Sequence, residues 1–352
     1  IILPDSVLLD HALLYDGHIL AMLPSDAIPG DVQSLDAGGL YLLPGLIDQH
    51  IHGFAGYDAM DGDPQGLLRM GEALCAHGVT GFVPTTVSMG EAGIDRALDS
   101  VRAAMAEPQP GARILGAHLE GPYLNPQKKG AHAERYLKAP LREYVERHLD
   151  VLRALTAAPE LDPDFIGWAA GHKLVVSLGH SMATYEQARA AFDSGAKQVT
   201  HLFNGMSGIH HQEPGLAGAA LLREGVYAEL IADTVHVRKE LYPLIYRCKG
   251  PGGVILISDC TRAGGMPPGH YTLGNMDVYT DAESSRLADG SLAGSVLTLE
   301  RAVYNFRKHA DIPLHEAVAM ASRNPAAQLG LARECGSIAL GLRADFALAD
   351  EE

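Results

Sequence analysis

Pro44-Gly45-Leu46-Ile47-Asp48-Gln49-His50-Ile51-His52-Gly53 is an apolar, β-rich run that ends in polar residues and a glycine. Side chains two apart on a strand share a face, so His50 and His52 project to one side and can hold one metal ion. A His-x-His pair alone is weak evidence. This one gains weight from its place, where an apolar strand meets Gly53. The fold turns on whether this run is one strand among several of the same kind.

Working outward, seven more such runs appear, at 80–86, 114–120, 152–157, 174–180, 198–204, 228–233 and 254–259, with the first at 43–52. Between them lie Ala/Leu/Arg-rich helical stretches that include 64–77, 92–106, 185–194 and 239–249. Alternating strands and helices predict right-handed crossovers and a parallel sheet. Eight strands in about 215 residues predict an α/β fold closed as a (β/α)8 TIM barrel. No GxGxxG follows the first strand, which weakens an open dinucleotide-binding sheet. Residues 1–43 instead alternate apolar and polar positions with turn pairs Asp16-Gly17 and Gly38-Gly39, and 336–350 read as strand, turn, strand. The expected organisation is a small β domain from 1–43 and 335–352, packed as a β-sandwich, around a barrel at 44–334. The polar stretch 122–140 is the longest insertion, and loops of that length are often functional.

Catalytic groups of a barrel sit at the carboxyl ends of its strands. Here the third run ends in His118-Leu119-Glu120, the fifth in His180, the sixth in His201 and the eighth in Ser258-Asp259. A carboxylate such as Glu120 at the end of an apolar run is costly unless paired or metal-bound. His118 reads as supporting or core packing rather than as a ligand. Asp259 has an alternative role as a helix cap. The combination carries the argument: two or three imidazoles with a carboxylate suit Zn²⁺ or Fe²⁺ and leave a position for water. The ion brings the water pKa toward ~7. Asp259 then serves as general base and afterwards as general acid to a leaving amine. Hydrolysis of an amide or similar polar bond is the natural reaction class.

The composition sets limits on partners. With 27 Lys+Arg against 43 Asp+Glu the formal charge is −16, which disfavours nucleic acid and anionic membrane surfaces. Seventeen histidines against one Trp make histidine placement the leading question. Four dispersed cysteines without CxxC exclude zinc ribbons and thioredoxin-like motifs. The amino terminus reads as no signal peptide and no run is long enough for a membrane helix, so the expectation is a cytoplasmic protein with a small-molecule substrate.

Pro44-Gly45-Leu46-Ile47-Asp48-x-His50-x-His52-Gly53 and the tail Asn324-Pro325-Ala326-Ala327, Gly336-Ser337-Ile338, Ala344-Asp345 resemble the amidohydrolase superfamily. Within it, His118-Leu119-Glu120-Gly121-Pro122, Lys128-Lys129-Gly130-Ala131-His132, Gly179-His180-Ser181 and Thr200-His201-Leu202-Phe203-Asn204 are similar to N-acetylglucosamine-6-phosphate deacetylases. His210-His211-x-Glu213-Pro214-Gly215 and Asp233-x-x-His236 also match. The resemblance implies a metal hydrolase that removes acetyl from a 2-acetamido sugar phosphate and acts as a homodimer. It implies Glu120, His180 and His201 as ligands of the core metal, with Zn the first expectation and Fe the second. His50 and His52 would allow a second ion bridged by Glu120. Asp259 would be the acid/base, His132 would meet the sugar hydroxyls or acetyl carbonyl, and Asn204, His236 and His211 would help seat the distal sugar and phosphate. Family members commonly carry Arg where this chain has Gln212, which lacks the charge and bidentate fork of Arg. An unphosphorylated amino sugar, another amide such as an N-acyl amino acid, and a silent scaffold or sensor are the alternatives. The chain stops sooner than family members usually do, so the small β domain is expected to lack its last strand.

Overall fold

The structure is a computed structural model that describes residues 1–350. Eight parallel strands follow one another in chain order: β1 Leu46–Ile51, β2 Val79–Pro84, β3 Ala117–Glu120, β4 Leu152–Ala157, β5 Val175–Leu178, β6 Gln198–Val199, β7 Tyr227–Ile231 and β8 Val254–Ile257. β3 through β8 form one continuous six-stranded sheet in sequence order. β1 pairs with β2, β2 pairs on its other edge with the short strand Arg113–Ile114 that leads into β3, and a Thr85–His118 bridge joins the two sets. Beyond β8 the backbone returns to β1: Asp259 N–H donates to the His50 carbonyl at 2.9 Å and His52 N–H to that of Cys260 at 2.9 Å. The parallel sheet is therefore strongly curled, with the ends of β1 and β8 side by side.

Strands covered on both faces read as continuous apolar runs, and Val254 to Ile257 are all fully buried. Helices pack the outer face because their apolar residues recur every three or four positions. In helix Pro64–Cys75, Leu67, Met70 and Leu74 are buried while Asp63 accepts the Gln65 N–H as a cap and Pro64 opens the first turn. Thr184 and Gln187 form a capping box that starts helix Tyr185–Asp193. The expected helix over 239–249 divides into a 3-10 turn, Lys239–Leu241, and helix Tyr242–Lys249. Pro243 causes this, since proline is tolerated only in the first helical turn.

At the amino terminus His11–Asp16 and His18–Pro24 form an antiparallel hairpin, and Tyr41–Pro44 pairs antiparallel with Phe346–Ala349. The first strand expected within 336–350 does not form. Gly336 and Gly341 both take left-handed φ, and of the residues between them Ile338 is buried while Leu340 stays exposed. Residues 351–352 of the expected small domain lie outside the described residues. After β8 the chain adds an unanticipated antiparallel sheet, Gly269–Leu273, Met276–Thr280 and Ser285–Arg286. None of the described helices is long and apolar enough to cross a membrane.

Candidate active site

The carboxyl ends of the strands converge on a cavity of about 180 Å³. Its lining includes His52, Glu120, His132, His180, His201, Asn204, His236 and Asp259. His50 lies behind this lining, fully buried, and reaches the same cluster. His180, His201 and Asp259 each adopt positive φ (48°, 33° and 49°), uncommon for residues with a Cβ. Each of these sharp turns aims a side chain across the strand ends, a strain of about 1–3 kcal/mol per residue that the packed strands must hold. Gly121 follows Glu120 with φ 73°, and a Cβ there would meet Ser88 Oγ at 2.1 Å, so only glycine fits.

Two groups of donor atoms share Glu120. Its Oε1 lies 3.3 Å from both His180 Nε2 and His201 Nε2, which are 3.0 Å apart. Its Oε2 lies 3.4 Å from His50 Nε2 and 3.3 Å from His52 Nε2. Asp259 Oδ1 completes the second group, 3.3 Å from His50 Nε2 and 3.0 Å from His52 Nε2.

Hydrogen bonds on the far side of each ring decide which nitrogen carries the proton. His52 Nδ1 donates to the Thr85 carbonyl, His180 Nδ1 to that of Lys128 and His201 Nδ1 to that of Asn204. His50 Nδ1 donates to the Glu229 carboxylate. In the neutral rings all four Nε2 atoms thus turn lone pairs toward two carboxylates, an arrangement of acceptors facing acceptors. His50 Nε2, Glu120 Oε1 and Asp259 Oδ1 are buried without a hydrogen-bond partner. A cation resolves this. About 3.3 Å is also the donor spacing of a tetrahedral shell with bonds near 2.0–2.1 Å. The residues present therefore fit one or two divalent metal ions.

The electrostatics agree. Burial opposes charge on His50, yet Glu120, Asp259 and Glu229 push its pKa well above the histidine range. His52, likewise resisted by burial, rises to about 10 through Asp259 and Glu120. Burial also opposes ionisation of Glu120 and Asp259, but the imidazoles, His50 foremost, hold both carboxyls well below their usual values.

His132 differs. The Ser88 N–H donates to its Nδ1 at 3.0 Å, so Nε2 carries the proton and points it into the cavity, 3.6 Å from Glu120 Oε2. Burial brings its pKa down to about 4, which keeps the ring neutral. His132 is a hydrogen-bond donor to the cavity rather than a fifth lone pair. His118, as expected, is packed beneath the cluster: its Nε2 meets Thr156 Oγ1 at 2.8 Å, and Thr156, Thr200 and Ser177 continue a hydroxyl chain across the strands. His236 lines the cavity with its Nδ1 on Asp233 at 2.6 Å. His211 and Gln212 are exposed on the loop before helix Gly215–Leu222 and are not brought to the cavity lining. Leu273 and Met276, from the sheet inserted after β8, form part of the opposite wall and were not anticipated. Glu229, Gln49 and Gln198 were also missed. A carboxylate inside the apolar run Tyr227-Ala228-Glu229-Leu230-Ile231 was the available signal for Glu229.

Residues 41–351 match the amidohydrolase family. The N-acetylglucosamine-6-phosphate deacetylase of Lysinibacillus sphaericus is 39% identical over 329 residues, 91% of this chain and 84% of the relative. The N-acetylgalactosamine-6-phosphate deacetylase of Escherichia coli O157:H7 is also 39% identical, over 97% of this chain and 91% of its own length. The crystal structure of N-acetylglucosamine-6-phosphate deacetylase from Pasteurella multocida superposes with a TM-score of 0.95 at 31% identity, covering 99% of this chain and 93% of that one. With the metal-binding geometry and these similarities together, the chain belongs to the amidohydrolase family, on the branch of the N-acetylglucosamine-6-phosphate deacetylases.

Proposed function

We propose that this chain hydrolyses the acetamide of N-acetyl-D-glucosamine 6-phosphate to glucosamine 6-phosphate and acetate. The observation that carries the reading is the convergence of four imidazole lone pairs and two carboxylates beside a single imidazole N–H. Glu120, His180 and His201 would hold a divalent cation, with His50 and His52 available to a second, and such an ion would supply the Lewis acidity that makes water nucleophilic near neutral pH. Asp259 accepts the proton of the attacking water and returns it to the amine as the C–N bond breaks. His132 donates its Nε2–H to the acetyl oxygen, where negative charge builds in the transition state. Asn204 and His236 meet the sugar, and His211 and Gln212 lie further out, toward the phosphate. Zn²⁺ is the ion we favour, from the mixed N/O donor set and its spacing, with Fe²⁺ second.

The curled sheet is read as a closed (β/α)8 barrel at 44–334, and the pairing of Tyr41–Pro44 with Phe346–Ala349 supports a small β domain from 1–43 and 335–352. The same reading makes the protein a cytoplasmic homodimer. Ile209, 54% exposed beside His210, His211 and Gln212, marks the face we assign to the second copy. A fall in molar mass from dimer to monomer, measured by light scattering on Ile209→Glu, tests it.

A second reading has a specific basis. Equal identity to a galactosamine-type deacetylase leaves the C4 epimer open, and no Lys or Arg lines the cavity. Acetate release measured on N-acetylglucosamine 6-phosphate, its galactosamine epimer and unphosphorylated N-acetylglucosamine tests the assignment. Preference for the unphosphorylated sugar overturns the phosphate specificity, and absence of acetate from all three overturns the deacetylase reading.

A further inference from the structure

Glu229 lies on β7, fully buried, on the inner side of the curled sheet beneath the donor cluster. Gln49 Nε2 and Gln198 Nε2 each donate to its Oε1 at 2.8 Å, and His50 Nδ1 donates to its Oε2 at 3.1 Å. Gln49 Nε2 also donates to Gln198 Oε1 at 2.8 Å, so three strands are tied together under the cavity. Consecutive residues on a regular strand point to opposite faces. The irregular register between Asp48 and Ile51 is what lets both Gln49 and His50 reach one carboxylate.

A buried carboxylate is expensive, and this one touches neither the cavity nor a Lys or Arg. Its position explains the expense. The other three converging imidazoles rest on backbone carbonyls, which fix ring direction only. Glu229 fixes the ring of His50 and also places a negative charge one imidazole away from the donor group, which raises the basicity of Nε2. That group, His50, His52 and Asp259, is a cluster of three buried ligand atoms next to the Glu120, His180 and His201 group. Two like-charged ions side by side repel strongly in a low-dielectric interior, so a third carboxylate close behind one of them matters most there.

We propose that Glu229 is a positioning residue that holds His50 as a ligand and thereby retains a second divalent cation at His50, His52 and Asp259. This rests on the metal-hydrolase reading above. The test is metal content per chain for the wild type, Glu229→Gln, His50→Gln and the double variant, equilibrated at buffered free Zn²⁺ and measured by mass spectrometry of the elements. The wild type is expected to hold two ions. Glu229→Gln keeps one and binds the second about 10–100-fold more weakly. His50→Gln loses the second ion, and adding Glu229→Gln to it changes nothing further. The retained ion reports that the variant has folded. Should Glu229→Gln not fold, Glu229→Asp keeps the charge but withdraws it from Nδ1, and it too should weaken only the second ion. Two ions bound with wild-type affinity in the Glu229 variants overturn the proposal. A wild type with one ion overturns it and leaves the hydrolase reading standing, whereas a wild type with none overturns both.

Discussion

The two halves of the donor cluster use the same imidazoles on different supports. His180 and His201 lean on the carbonyls of Lys128 and Asn204, in loops that turn sharply at positive φ. His50 leans on a buried carboxylate held by two glutamines, Gln49 beside it on β1 and Gln198 on the neighbouring β6. A carbonyl sets direction at little cost and adds no charge. A carboxylate sets direction, adds charge, and has to be desolvated and satisfied. The chain spends that cost on one half only, the half that shares Asp259. The loop-supported half can hold an ion by geometry, and the sheet-supported half needs charge to do so.

Removing the metal tests whether both halves serve one chemistry. Dialysis against a chelator should cut acetate release by ~10³-fold or more, since Lewis acidity contributes several kcal/mol to the barrier. Zn²⁺ should restore it, and activity that survives complete metal removal breaks the comparison at its root. Asp259→Asn should lower turnover by about 10²–10⁴ while the Glu120, His180, His201 ion stays bound. Near-normal turnover would leave Asp259 as a ligand and nothing more. His132→Ala should lower kcat by about 10²–10³ with unchanged metal content, because the ring donates a hydrogen bond to the cavity and offers no lone pair. Loss of metal in that variant would move His132 into the ligand set.

The smallest effect checks the rule about supports away from the site. The Lys249 ammonium donates to the carbonyls of Ala220 and Arg223, each at 2.8 Å, and Glu224 acts on it only through its field. Burial takes its pKa down to about 8, while His52, between two carboxylates, is held up at about 10. A lysine depressed in the folded state binds fewer protons there than in the unfolded chain between about pH 8 and its ordinary value near 10.4. Stability of the wild type relative to Lys249→Met should therefore rise with pH through that window and stay flat below it. Chemical unfolding at several pH values measures this, and a flat difference from pH 7 to 10 would remove Lys249 as an example of carbonyl support.

Much of the candidate site was legible because strand ends announce themselves. His50, His52, Glu120, His180, His201 and Asp259 all follow apolar runs, and all six meet in one cluster. The helices were legible from periodicity and caps, with Pro243 moving one boundary. The inserted sheet at 269–286 was missed because its strands are half-exposed and have no long apolar run. Residues 336–341 looked like a strand by composition, but Gly336 and Gly341 take left-handed φ, and the chain meets the hairpin through single bonds such as Gly341 N–H to the Ile19 carbonyl rather than through a strand ladder.

By itself the sequence determined which side chains stand at the ends of the parallel strands, because apolar runs and a two-residue alternation are local properties. It also determined the family. The tertiary structure alone decided what lies behind those side chains. It placed Glu229 under His50 across 179 positions of chain and put the Ser88 N–H on His132, which reverses that ring's tautomer relative to the other four. It left His211 and Gln212 outside the cavity lining. For His50, His52, His132 and His180 the proton positions follow from partners distant in sequence, and no local pattern encodes them.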